Sequence, residues 1–115
     1  MANILTGIVA ALHIYFLVLE MFLWDKPMGL RTFKNTPEKA EITKMLAANQ
    51  GLYNGFLAAG LVWGLLMGGH EGFHVKIFFL TCVIVAGAYG AYSVSRRILY
   101  IQAAPALLAL VLLHF

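Results

Sequence analysis

The chain has 115 residues, of which 62% are hydrophobic and 11% charged, against about 25% charged in an ordinary soluble domain. A water-facing surface of normal polarity cannot be built from so few charges, and the mean hydropathy of +0.84 agrees. The composition predicts an all-α membrane protein, with material for at most four or five crossings at about 20 residues each and none for a large water-soluble domain.

The first apolar segment runs from about 3 to 24. No Lys or Arg precedes Glu20 and no small-x-small cleavage site follows, so a retained helix is expected rather than a removed signal. Its polar members are Thr6, His13 and Glu20, spaced by seven. Seven steps of about 100° leave a drift of only some 20°, so the three form one stripe on a helix. Residues 25–46 form a polar loop, with 25–35 as the only real linker. In NTPEKAEITKML, Thr36 is placed as N-cap, Pro37 at the first helical position and Glu38 in the first turn. No breaker follows before Gly51, so one long helix is expected from about Pro37 to Met67, roughly 46 Å. Its first ten or so residues extend into the cytoplasm and the apolar part, 47–67, forms the second span. A glycine-flanked turn of about eight residues leads to the third span, 75–95. The fourth, 98–114, is short, and Pro105 is expected to kink or loosen one turn.

These spans make a single transmembrane domain, 1–115, a compact four-helix bundle. Loop one carries Lys26, Arg31, Lys34, Lys39 and Lys44, loop three carries Arg96 and Arg97, and loop two has Lys76 at its edge. The imbalance places loops one and three in the cytoplasm and both termini outside a multi-pass cell (inner, cytoplasmic) membrane. The net charge of +3 is carried mainly by membrane-flanking loops and mixed with acids, which fits anionic lipid heads and not nucleic acid. The single cysteine, Cys82, lies in an apolar run and reads as a small buried residue, so no intrachain disulfide forms.

Polar side chains within spans are costly in hydrocarbon and are expected to face the interior. The second span holds Asn49, Gln50, Tyr53 and Asn54, two interleaved i, i+4 pairs. With Glu20, with Tyr89 and Ser93 in the third span and with Gln102 in the fourth, they fall at similar cytoplasmic-side depth. They predict a polar ligand pocket in that half of the bundle. The blander alternatives are that Glu20 snorkels or pairs with Lys26, Arg96 or Arg97, that His13 is a neutral imidazole bonded to a neighbouring helix, and that the amides bond between helices without a ligand. Small residues recur four apart at Gly51 and Gly55, at Gly60 and Gly64, at Ala86 and Gly90, and at Gly87 and Ala91, a pattern that lets helices approach closely. His70, Glu71 and His74 match H-E-x-x-H, a zinc-binding spacing that requires a helix. Their setting in a turn, with Gly72 between the histidines, favours a polar turn, so no metal is expected; His114 is the nearest further ligand. No phosphate-cradling loop, nucleophilic triad or organic cofactor motif is present.

The strings LEMFLW at 19–24, AANQGLYNGFLAAGLVWG at 47–64, VAGAYGA at 85–91 and QAAPALLAL at 102–110 resemble the small, mainly bacterial, integral membrane family known as domain of unknown function thirteen-oh-four. The resemblance implies a compact four-helix membrane protein and supplies no established reaction. Its strings include Glu20, Trp24, Asn49, Gln50, Tyr53, Asn54, Tyr89 and Gln102, and not the HEGFH turn.

Three functions follow as expectations. The first is a bundle, homo-oligomeric or with a membrane partner, that binds and transports a small amphipathic or cationic molecule. In it Glu20 holds the charge or proton, His13 relays it, and Gln50, Asn54 and Gln102 orient the ligand. The second is an intramembrane enzyme acting on a lipid, isoprenoid or quinone, with Glu20 and His13 as acid and base. The third is an accessory subunit clasped through its small-residue grooves.

Overall fold

A computed structural model describes residues 1–93, 97 and 99–115, and every regular element among them is helical. The order is α1 (Ala2–Met21), α2 (Pro27–Thr32), α3 (Pro37–Met67), α4 (Gly69–Ser93), a π-helical turn (Leu99–Ala103) and α5 (Ala104–Leu113). Helices α1 and α4 are each long and apolar enough to cross a membrane, while Tyr100–Leu113 is a shorter apolar stretch. Helix α3 begins with a charged decade and carries three amides further on, so it is not uniformly apolar.

The long helix runs over its predicted bounds. Thr36 caps it, its Oγ1 accepting the Lys39 backbone N–H at 3.2 Å, and Pro37 takes the first position, where no backbone donor is needed. The predicted linker is more structured than expected, because residues 27–32 form α2. That helix ends in a Schellman arrangement: the Asn35 N–H donates to the Leu30 carbonyl at 2.8 Å and the Lys34 N–H to Arg31 at 3.4 Å. Lys34 takes the left-handed position with φ of 52°, where glycine is usual.

The largest departure lies between α3 and α4. The predicted eight-residue turn is a corner made at Gly68, with φ of 64° at Gly68 and 60° at Gly69. Left-handed glycines stop one helix and start the next without an intervening loop. Residues 70–74 therefore belong to α4, which starts six residues earlier than the span expected from hydropathy. At the far end the loosened turn is the one before Pro105. A proline lacks the N–H that would reach back four residues and its ring crowds the preceding turn, which accounts for the wide π turn at 99–103. Arg96, and the boundaries placed at 95 and 98, lie outside the described residues.

The chain divides into two compact units, Met1–Leu12 with Leu57–Phe115, and His13–Phe56. In the first, Val9, Ala10, Leu61, Leu80, Val83, Ala106 and Ala109 form the buried core, flanked by Leu5, Leu57 and Phe79. Close approach is set by small residues: a Cβ on Gly72 would stand 2.6 Å from the Gly64 carbonyl oxygen, and one on Gly87 2.8 Å from the Ala103 Cβ. A Cβ on Gly60 would collide with the Phe79 ring and one on Gly64 would meet Lys76 Cγ at 2.7 Å. In the second unit, Leu19, Ala40 and Ala47 are buried. A Cβ on Gly51 would meet Met21 Cγ at 2.7 Å and one on Gly55 would meet Leu17 Cδ1 at 2.7 Å. The glycine grooves at Gly51, Gly55, Gly60, Gly64 and Gly87 are thus filled by the chain's own side chains. Gly90 lies half-buried on α4.

Candidate functional site

The seven-residue stripe of α1 is buried at every position: Thr6 and His13 are 0% exposed and Glu20 5%. Thr6 satisfies its hydroxyl locally, donating to the Ala2 carbonyl at 2.8 Å. The His13 ring lies edge-on to Phe16, with centroids 5.5 Å apart.

Glu20 is the centre of the second unit's chemistry. Its Oε1 accepts a hydrogen bond from the Asn54 Nδ2 of α3, and among the described residues no Lys or Arg forms an ion pair with it. Lys26, a partner considered from the sequence, is exposed. What brings the acid and the amide together is the Gly51 approach, which would place an added Cβ 3.1 Å from the Glu20 Cβ. Without a side chain at Gly51 the two backbones close in, and Asn54, three residues on, lies on the same face of α3.

The other amides of that helix do not join this pair. Asn49, Gln50 and Tyr53 are exposed, Tyr53 at 58%, and the Tyr53 ring rests edge-on to Phe56. The buried line of α3 runs Ala40, Ala47, Gly51, Ala58 and Leu61, with half-buried Asn54 in the same register. That heptad-like spacing of small residues was the signal separating Asn54 from its neighbours. In the other unit Tyr89 and Ser93 are exposed, the Ser93 hydroxyl donating to the Tyr89 carbonyl at 2.8 Å, and Gln102 is half-buried in the π turn.

In the same unit, residues 24–44 carry a second set of polar contacts, the polar cap. Trp24 Nε1 donates to Thr43 Oγ1 at 3.2 Å and the Trp24 and Phe33 rings lie 4.9 Å apart. Lys44 Nζ bridges to Asp25 Oδ2 at 2.9 Å. Donation from Lys44 holds the Asp25 carboxyl below its ordinary range.

The first unit holds a buried lysine that hydropathy reading assigned to a loop edge. Lys76 is 7% exposed, its stem lies against Gly64, and its Nζ donates to the Asn3 side-chain oxygen at 2.7 Å. Nothing in the sequence pairs residues 3 and 76; a lone Lys within HVKIFF was the only hint. On the exposed side of α4, His70 and His74 bring their Nε2 atoms to 3.0 Å. His114 accompanies neither imidazole directly. Its Nδ1 lies 2.9 Å from the Leu110 carbonyl and its ring contacts Phe73 at 5.6 Å. Among the described residues no three His, Cys, Asp or Glu side chains gather as a metal-ligand group.

A family model described as "Protein of unknown function (DUF1304)" matches residues 7–114, and the chain belongs to that family. It is similar to "Uncharacterized protein YpaA" of Lactococcus lactis, with 29% identity over 110 residues covering 94% of this chain and 92% of the relative. No solved structure matches the chain.

Proposed function

We propose that the chain is a multi-pass membrane protein, its four apolar stretches all spanning, that binds a small cationic or amphipathic molecule at Glu20. The membrane reading is supported by an inverted distribution of polarity. Thr6, His13, Glu20 and Lys76 are buried while Ile4, Ile8, Phe56, Trp63, Leu66, Phe78 and Val85 are exposed. A soluble protein's core helix would be mostly buried, whereas 33% of the apolar window of α1 and 22% of that of α4 are. Hydrocarbon is the medium in which such a surface is stable, and the excess of Lys and Arg in loops one and three supports an orientation with both termini outside.

The observation that carries the ligand reading is the buried Glu20 with a neutral amide as its polar partner. A carboxylate taken out of water is expensive, and one amide N–H offsets part of that cost. A bound cation or a proton supplies the rest, so the position selects for positively charged guests. The filled glycine grooves give less support to an accessory subunit clasped through them.

Native mass spectrometry of protein released gently from membranes tests this, comparing wild type with Glu20→Gln, together with equilibrium binding of the lipophilic cation tetraphenylphosphonium in nanodiscs. A co-purifying small molecule, or saturable probe binding, that the isosteric variant loses while keeping its helicity is the expected result. Equal masses and equal probe binding in the two proteins would refute it.

A further inference from the structure

We propose that His70 and His74, on the first two turns of α4, form a chelating site for one divalent transition-metal ion of the copper or nickel type. The site is separate from Glu20 and does not rest on the membrane reading.

The geometry begins with the corner. Left-handed Gly68 and Gly69 start α4 early enough that both histidines are helical, and the Gly72 N–H donates to the Gly68 carbonyl at 2.9 Å. Gly72, which in the sequence looks like a helix breaker between two ligands, is needed at the crossing because a Cβ there would meet the Gly64 carbonyl oxygen. Residues two before and two after a packed position are each turned about 200° from it. His70 and His74 therefore share the opposite, exposed face of α4.

On that face the imidazoles stand one turn apart, with ring centroids at 4.4 Å and Nε2 atoms at 3.0 Å. Two nitrogens bound to one metal at about 2.0–2.1 Å and separated by this distance subtend about 91–97°, near the cis angle of a square-planar or octahedral ion. A tetrahedral ion requires about 3.3 Å between the nitrogens, a slightly wider splay. The arrangement thus suits tetragonal Cu2+ or Ni2+ directly and Zn2+ after a small opening. The ligands sit on a helix fixed at its start, so little ordering remains to be done on binding. Exposed Glu71 adds negative charge beside them, offsetting the partial positive charge of the helix start. His114 is held elsewhere, by Leu110 and Phe73, so water or an outside donor completes the coordination.

The same nitrogen separation also fits a simple N–H···N hydrogen bond, and metal titration distinguishes the two. Full-length protein purified without a histidine tag is titrated in nanodiscs with Ni2+ by calorimetry and with Cu2+ by electron paramagnetic resonance. The expected result is one ion per chain with hyperfine structure from two nitrogens, affinity at least tenfold weaker in H70A and in H74A, and no change in H114A. Absence of saturable binding by wild type, binding undiminished in the H70A H74A double variant, or equal loss in H114A would each overturn the site. Both histidines are exposed, so the variants are expected to fold, and unchanged helicity by circular dichroism checks this.

Discussion

Two glycine-to-alanine substitutions in the same unit should move stability in opposite directions. At Gly7 an added Cβ finds nothing within 4 Å, whereas at Gly72 it stands 2.6 Å from the Gly64 carbonyl oxygen and 3.4 Å from the Met67 carbonyl carbon. Within a helix, replacing glycine by alanine gains about 0.5–1 kcal/mol from reduced chain entropy. That gain stands alone at Gly7. At Gly72 the methyl must be accommodated by opening the crossing by about 0.7 Å, taking an ordinary carbon–oxygen contact as about 3.3 Å. The obstructing atom is backbone and cannot rotate away. It also accepts the Gly68 N–H at 3.2 Å, so pushing it strains the corner itself. Overpacking of this kind costs about 1–3 kcal/mol. The net expectation is a gain of about 0.5–1 kcal/mol for Gly7→Ala and a loss of up to about 2.5 kcal/mol for Gly72→Ala. Reversible unfolding in mixed micelles, followed by the fluorescence of Trp24 and Trp63, measures both. Finding Gly72→Ala as stable as Gly7→Ala would refute the backbone-contact reasoning.

The ends of the helices around the polar cap give a second pair. Thr36→Ala removes the side-chain acceptor of the Lys39 N–H and should cost about 1 kcal/mol. Lys34→Gly relieves a left-handed lysine and should stabilise by up to about 1 kcal/mol, both read from the same unfolding curves. Asp25 should give a small pH dependence. Its folded pKa lies below the ordinary carboxylate range because Lys44 donates to it, so its contribution is present above that range and is lost as pH falls through the folded pKa. Asp25→Asn should flatten that acid limb and lower stability at neutral pH by the same small amount; an unaltered limb would show that the exposed pair contributes nothing.

Much of this protein is set by local chemistry that a sequence displays. Pro37–Met67 is legible because a threonine cap, a first-position proline and an unbroken run of helix formers act over a few residues. The buried stripe of Thr6, His13 and Glu20 follows from the helical repeat alone, as does the excess of apolar surface from composition. Facing on α3 was only half legible. Four polar residues lie within six positions, and which of them turns inward depends on where the partner helix docks. The Gly51 and Gly55 groove received Leu17 to Met21, which selected Asn54 and left Asn49, Gln50 and Tyr53 outside. The start of α4 was hidden for a similar reason. Glycine is compatible with a loop or with a tight crossing, and the Gly64 carbonyl decides between them at Gly72. The Lys76 contact to Asn3 joins residues 73 apart in the chain, and no periodicity encodes a pairing at that range. Caps, periodicity and composition are properties of neighbouring residues, so the sequence determined α1, α3 and the apolar stretches. Contact across helices depends on how closely backbones approach, so only the tertiary structure decided which polar groups meet.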